Sequence, residues 1–332
     1  MPNRYPLPIL LAGSSVLLLL VCAASLLFGA GNVSPGSALQ ALLGHGSDET
    51  YFVLFELRGP RTLIALVAGM TLGCAGALMQ TLARNPLAEP GLLGVSAGSA
   101  FAITLALLLG ASSAGLSVYV AQAGALGGCL VVLSAARLNS MNNDPIRLVL
   151  AGATLSSLLL AMTSLLLLFD QRAADEIRFW ITGSVAGRDL GTLWQLLPSL
   201  LIALVLTLFI VRPLAALALG ENMATNLGHK PERIRLIAVI IVALLVGAAT
   251  SLAGPIMFVG LVVPFIARAF AGADIRRYLI LCVFIGPIIL ITADTLSRLI
   301  VAPGELPLGV LTAIIGAPVL LAVVRANRLP KL

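Results

Sequence analysis

Ten stretches of apolar residues dominate the chain, and most of them are long enough to cross a lipid bilayer. A membrane-spanning helix needs roughly 20 apolar residues. Backbone polar groups in lipid must be bonded within the protein, so a span is either an α-helix or a strand of a closed barrel. The stretches here are continuous, whereas barrel strands alternate apolar and polar residues. The sequence therefore predicts an all-α, polytopic membrane protein with about ten transmembrane helices, at Leu7–Phe28, Thr62–Leu82, Leu92–Leu109, Val118–Ala136, Leu148–Phe169, Trp194–Val211, Leu236–Leu252, Val259–Ala271, Leu279–Ile291 and Leu308–Val324.

The composition agrees with this prediction. Charged residues make up 10% of the chain and hydrophobic residues 59%, whereas a soluble domain carries about 25% charged residues. The four cysteines lie singly in different apolar stretches, a distribution that argues against a disulfide framework or a metal site. We expect residues 1–332 to form a single transmembrane domain. Its first stretch is expected to be an uncleaved span, because it is too long for the apolar region of a typical signal peptide.

The basic residues indicate how the chain is oriented. With the N-terminus inside, fourteen of the twenty Lys and Arg residues fall in inside loops and six fall outside. Cytoplasmic loops carry an excess of basic residues, so both termini are predicted to be cytoplasmic. The positive net charge is then explained by anionic membrane lipid, and it does not indicate nucleic-acid binding.

Two groups of outside arginines are candidate binding residues. Arg58 and Arg61 are three residues apart and share a helix face, where they could grip carboxylates of a partner. The alternative is that they contact lipid phosphates. Asp294 and Arg298, four residues apart, could form an interfacial ion pair, or Arg298 could be a third outward arginine. Spacing alone leaves both questions open.

Two cytoplasmic segments are unusually specified. Gln80–Gly98 is a polar, proline-bearing island between two spans. The segment 212–235 is the largest inside loop, and its pattern predicts a short helix from Leu217 to Leu227 between glycines. Such a helix could dock into a groove on a cytoplasmic partner or be an interfacial linker.

The chain lacks the residues of a self-powered carrier or an enzyme. Its spans hold hardly any acid or histidine, which proton- or sodium-coupled carriers usually place at mid-membrane. Neither a Walker A motif nor a hydrolase or zinc-protease motif occurs. The energy for transport must therefore come from a partner, unless the chain is a passive channel.

Six motifs occur in order along nearly the whole chain: LRGPR at Leu57–Arg61, QTLARNPLAEPGLLG at Gln80–Gly94, ALGENMATNLG at Ala218–Gly228, AGPIMFVGLVVPFIAR at Ala253–Arg268, ADTLSR at Ala293–Arg298 and ELPLGVLTAIIGAP at Glu305–Pro318. Together they resemble the FecCD-type permeases of ABC importers for iron–siderophores, haem and cobalamin. One departure is Phe265, which stands where the family often has histidine.

The resemblance implies a type II ABC importer permease in the inner (plasma) membrane. Such a permease pairs with a second copy or a paralogous permease. Its partners are two cytoplasmic ATPase subunits, which use ATP and Mg, and a periplasmic or lipid-anchored substrate-binding protein. The permease itself would bind no cofactor and would be a transport subunit, not an enzyme. The implied cargo is a ferric siderophore, with haem or cobalamin as the alternative within the family. A secondary carrier that needs no ATP is the alternative from another class.

The resemblance also implies roles for particular residues. The docking set for the binding protein is Arg58, Arg61 and Arg298. The set that couples to the ATPase, within the loop 212–235, is Leu219, Gly220, Glu221, Ala224, Leu227 and Gly228. The cytoplasmic gate comprises Asn85, Pro86, Leu87, Asp144, Pro145 and Ile146. The pathway, lined by the fifth and tenth spans, has the polar residues Ser156, Ser157, Thr163 and Thr312.

Overall fold

The computed structural model describes residues 6–29, 33–111, 118–137, 145–272, 274–302 and 304–325. These residues are mostly helical and contain no β-strand, which confirms the all-α prediction. Six helices are long and apolar enough to cross a bilayer and four are shorter and apolar; they match the ten predicted spans. The helices are α1 Leu7–Leu27, α2 Pro35–Leu42, α3 Asp48–Phe52, α4 Gly59–Ala83, α5 Val95–Leu108, α6 Val118–Arg137, α7 Pro145–Leu166, α8 Gln171–Ile181, α9 Gly191–Ala218, α10 Glu221–Asn226, α11 Pro231–Ala253, α12 Val259–Ala271, α13 Ile275–Ile300 and α14 Leu308–Arg325.

The second span begins earlier than the sequence indicates. A π-helical turn, Val53–Arg58, joins α3 to α4, so helical structure runs without a break from Asp48 to Ala83. Pro60 lies in the first turn of α4, and the π-helical turn precedes it. The wider turn accommodates it, because the N–H of Gly59 bonds back to the carbonyl of Leu54, five residues earlier. Arg58 and Arg61 are consequently fixed on a rigid helix.

The sixth span ends later than predicted, which corrects the loop assigned to residues 212–235. Helix α9 continues through Pro213 to Ala218, and α11 begins at Pro231. Pro213 removes one helical hydrogen bond, but burial of Leu214 and Leu217 keeps the helix intact around it. The predicted helix Leu217–Leu227 is thus shortened to α10, Glu221–Asn226. Leu217 and Ala218, the first two residues of the predicted helix, belong to α9.

The break between α9 and α10 occurs at Gly220, whose φ is 135°. Residues with a Cβ avoid this conformation, so a glycine is required where the chain turns out of α9. Only Leu219 and Gly220 separate α9 from α10, so α10 is held close to the end of α9.

Glycines allow α4, the central helix, to pack directly on the backbones of α12 and α13. A Cβ added to Gly76 would lie 1.7 Å from the carbonyl oxygen of Gly260 in α12, and one added to Gly69 would lie 2.6 Å from the backbone of Gly286 in α13. Small residues permit such close approach between membrane helices. These contacts fix α12, a helix of 13 residues, against the middle of the bundle.

We expect Gly76→Ala to destabilise the fold strongly, by about 3 kcal/mol or more, at the upper end of overpacking costs. The added methyl group meets backbone atoms that cannot rotate away. Gly127→Ala in α6 is the matched control, because a Cβ there meets nothing within 4 Å; it should be neutral or stabilise the helix by up to about 1 kcal/mol. The midpoint of thermal unfolding in detergent distinguishes the two variants, and equal midpoints would contradict the assigned helix contact.

Candidate functional site

A cluster of charged side chains lies where α4 begins and α13 ends, and we call this the Arg58 end of the bundle. Arg61 lies at the centre of this cluster. Its Nε and Nη2 donate to Asp294 at 2.8–3.0 Å, and its Nη1 donates to both oxygens of Glu305 at 2.7 and 2.9 Å. Asp294 is 1% exposed, whereas Glu305 is 34% exposed. Arg61 therefore has one deeply buried partner and one partner that solvent can reach.

Two buried arginines, Arg58 and Arg298, complete the group. We call Arg58, Arg61 and Arg298 together the arginine cluster. Arg58 Nη1 donates to the carbonyls of Leu26 and Leu27, which end α1, at 2.9 and 3.0 Å. Arg298 pairs with Asp294 at 3.1 Å and donates to Ser25 Oγ at 2.8 Å. The two arginines are 3% and 2% exposed. Arg298 is thus part of an ion pair, one of the two alternatives that its spacing left open. In this conformation the side chains of both Arg58 and Arg298 are buried.

A fourth arginine, which the sequence analysis did not single out as a site residue, lies beside this cluster. Arg188 follows α8 and, together with Arg61 and Glu305, lines a cleft of about 240 Å³. It is half-buried, and burial lowers the pKa of its guanidinium. Among the described residues none forms a hydrogen bond or ion pair with the Arg188 guanidinium. Its sequence signal is weak, since it is one of the six basic residues assigned to the outside loops.

At the opposite end, α10 projects from the bundle. Met223 on α10 and the leucines that flank the helix, Leu219 and Leu227, are 47%, 78% and 60% exposed. Ala224 is fully buried beneath the helix, and Glu221 pairs with Arg235 at the start of α11. The helix is therefore anchored on one side and presents an unusual apolar surface on the other. Gly228, with φ of 80°, ends it.

The polar island after α4 begins with a tight turn. Arg84 ends α4 in the left-handed conformation, and its Nη2 donates to the carbonyl of Leu217 at 2.5 Å, at the end of α9. Asn85 Oδ1 accepts the N–H of Leu87 at 2.9 Å, closing an Asx turn around Pro86. The three predicted gate residues of this loop thus directly follow an arginine that contacts the end of α9.

The second half of the predicted gate is only partly visible. Asp144 lies outside the described residues. Pro145 and Ile146 open helix α7.

The island is also fixed near its middle, through Glu89. One carboxylate oxygen of Glu89 accepts the backbone N–H of Phe258 at 2.9 Å, at the start of α12. Phe258 in turn fills the space that the absent side chain of Gly316 leaves on α14, because a Cβ on Gly316 would lie 2.4 Å from Phe258 Cβ. The segment from Arg84 to Glu89 therefore connects the end of α9 to α12 and α14.

The four predicted pathway residues differ in their surroundings. Thr163 and Thr312 are buried, and their hydroxyls donate to carbonyls of their own helices. Ser157 is exposed on α7. Ser156 has a buried hydroxyl with no hydrogen-bond partner. The Ser157 hydroxyl donates to the carbonyl of Ala153 at 3.0 Å, so Ser156 is the one of the four whose hydroxyl has no partner among the described residues.

The comparisons with known proteins extend over nearly the whole chain. A model of the FecCD transport family matches residues 17–326. The chain is 44% identical to the ferric enterobactin transport system permease protein FepD of Escherichia coli (strain K12), over 94% of both chains. It is 37% identical to the Fe(3+) dicitrate transport system permease protein FecC of the same organism, over 96% of this chain and 97% of the relative.

A solved structure also matches. It is described as an inward-facing conformation of a metal-chelate type ABC transporter, and it aligns with a TM-score of 0.82 and 29% identity. The alignment covers 96% of this chain and 99% of that chain.

Proposed function

Because this chain belongs to the FecCD transport family, we propose that it is the membrane-spanning permease of an ATP-driven importer whose cargo is a ferric siderophore. The observation that carries the proposal is the full-length likeness to a permease named for ferric enterobactin transport. The resemblance first recognised from six motifs is thereby confirmed, and the chain is a multi-pass membrane transport subunit. The cargo is the proposed part.

The proposed assembly contains two permeases, two ATPase subunits and one substrate-binding protein, in the inner membrane. ATP and Mg are used by the ATPase subunits. Both permease termini and α10 face the cytoplasm, and the Arg58 end faces outward. The distribution of basic residues supports this orientation.

The proposed mechanism is alternating access. The loaded binding protein docks at the cleft that Arg61 and Arg188 line, with Arg58 and Arg298 supporting it from within the bundle, while the apolar surface of α10 lies in a groove of the ATPase. Closure of the ATPases moves α10, and the contact between Arg84 and Leu217 carries this movement to the Asn85–Leu87 loop. Cargo then passes between the two permeases.

The uptake of radiolabelled iron tests this function. Cells without their own siderophore uptake would express the chain with its ATPase and binding protein and would be offered ferric enterobactin, ferric citrate or a ferric hydroxamate. We expect uptake of at least one of these chelates, lost when the ATPase is inactivated and retained when an ionophore collapses the proton gradient. Uptake that needs no ATPase but fails with the ionophore would indicate a secondary carrier. Transport of cobalamin or haem alone would show that the proposed cargo is wrong.

The docking proposal is best tested at Arg188. Arg61→Glu would also break the buried pair with Asp294, whereas no described residue forms a hydrogen bond or ion pair with the Arg188 guanidinium, so Arg188→Glu changes the charge of the cleft without breaking a described ion pair. We expect the affinity for the binding protein to fall about 30-fold, because a partner carboxylate would meet a like charge. Isothermal titration of the loaded binding protein against the permease–ATPase complex measures this affinity.

Arg172→Glu is the matched control for this variant. Arg172 lies on α8, is largely exposed and pairs with Glu176, but it does not line the cleft. If both variants lose the same affinity for the binding protein, the effect comes from the charge of the surface in general, and the proposed role of the cleft is contradicted.

A further inference from the structure

A crevice between α4, α9, α11 and α13 opens on the side of the bundle. Its volume is about 600 Å³, within the range of small-molecule sites, which is roughly 300–1,000 Å³. Leu204 and Leu208 of α9 and Ile280 of α13 line its mouth and are exposed. The crevice is therefore open to the surroundings of the spans, where lipid chains lie.

The wall of the crevice is apolar along most of its length. Thr71 of α4 and Thr207 of α9 are polar residues in it, and both hydroxyls donate to carbonyls of their own helices. Neither hydroxyl proton is left for a ligand. A hydrocarbon chain is the occupant that this wall accommodates without an unpaired polar group.

One end of the crevice is basic. Arg212 of α9 and Arg276 of α13 line it there, and both are exposed. Among the described residues that line the crevice there is no acidic side chain, and no described residue forms an ion pair with either guanidinium. The nearby Asp274 is directed elsewhere: it caps the backbone N–H of Arg276 and lies 3.9 Å from Arg277.

We infer that this crevice is a binding site for an anionic phospholipid, which inserts an acyl chain between the helices and places its phosphate against Arg212 and Arg276. Two features select this occupant: the two arginines are complementary in charge to a phosphate, and they lie at one end of the crevice. Basic pockets between transmembrane helices bind anionic headgroups on the cytoplasmic side, and both arginines lie at the end of the bundle that is proposed to be cytoplasmic. The inference does not depend on the cargo.

Because α9 leads directly into α10, the lipid would also support the helix whose end carries α10. A phospholipid here would fill the gap that separates α9 from α4 and α13. The fold thus leaves room, beside the proposed coupling segment, for a component that the membrane supplies.

Native mass spectrometry of the permease–ATPase complex tests this inference. The complex, released from detergent, is offered an equimolar mixture of palmitoyl-oleoyl phosphatidylglycerol and phosphatidylcholine. We expect retained phosphatidylglycerol to exceed phosphatidylcholine. The excess should fall roughly 30-fold when Arg212→Ala and Arg276→Ala are combined, since each basic residue near an anionic lipid contributes about a fivefold gain. Leu204→Trp, which adds bulk at the mouth, should lower retention of phosphatidylglycerol without changing any charge.

Arg277→Ala is the control, because Arg277 neighbours Arg276 on α13 but does not line the crevice. Equal retention of the two lipids, an unchanged excess in the double variant, or the same loss in Arg277→Ala would overturn the inference. Separation of the complex into its subunits in the double variant would also overturn it, since that result would assign the crevice to a protein partner.

Discussion

Replacing Leu227 with aspartate is expected to weaken the association of the permease with its ATPase about 30-fold or more, equivalent to ~2 kcal/mol, and to abolish uptake. Leu227 is 60% exposed at the end of α10, so the substitution costs the isolated permease little. In the proposed complex the same side chain is buried in the ATPase groove, where a carboxylate would have no partner. Co-purification of the ATPase and uptake of labelled siderophore are the two measurements.

Asn222→Asp is the matched control for this variant. It introduces the same negative charge into α10, but Asn222 is exposed on a different face of the helix from Leu227. We expect normal association with the ATPase. If both substitutions dissociate the complex, the effect belongs to the added charge and not to the apolar surface. If neither does, α10 is not the coupling helix.

The second large effect is expected at Asp294. Replacing it with alanine would leave Arg61 and Arg298 without the buried carboxylate that both contact, and breaking a buried ion pair from one side costs about 3–5 kcal/mol. We expect a much lower yield of folded protein and a lower midpoint of thermal unfolding in detergent. The end of α1 and the end of α13 should loosen together, because Arg298 also holds Ser25.

Glu305→Ala provides the comparison. Glu305 contacts the same arginine through two hydrogen bonds, but it is 34% exposed, and exposed pairs contribute about 0–1 kcal/mol. Its removal should leave stability almost unchanged. A loss of stability as large as that of Asp294→Ala would show that the exposure of the two carboxylates does not determine how much each contact stabilises the fold.

The positions of the spans could be predicted because the apolar residues that cross a bilayer are local in sequence. Val259–Ala271 was predicted with both ends correct. The errors occur where packing overrides a local signal. Pro213 indicates the end of a helix, yet the buried Leu214 and Leu217 carry α9 past it. The π-helical turn that extends the helix on the N-terminal side of Pro60 has no local signal in the sequence.

The arrangement of the charged residues was less accessible to sequence analysis. Charge counting located Arg58, Arg61 and Arg298 at one end of the bundle, but two of Arg61's contacts, Asp294 and Glu305, are 233 and 244 residues away in the chain. Only the fold decides whether an arginine in a loop or at a helix end is satisfied internally. For the same reason Arg188 was not selected, because nothing in its immediate sequence indicates that no described residue pairs with its guanidinium.

The attachments of the Arg84–Glu89 segment bear on the proposed role of its Asn85–Leu87 loop as a cytoplasmic gate. A segment held by Leu217 at one end and by Phe258 at the other cannot swing aside through a single broken hydrogen bond. Spontaneous movement of the segment would require both hydrogen bonds to break at the same time, which happens rarely. A resting importer of this design would therefore pass few ions between transport cycles. Its cell could keep many copies in the membrane without dissipating the membrane potential.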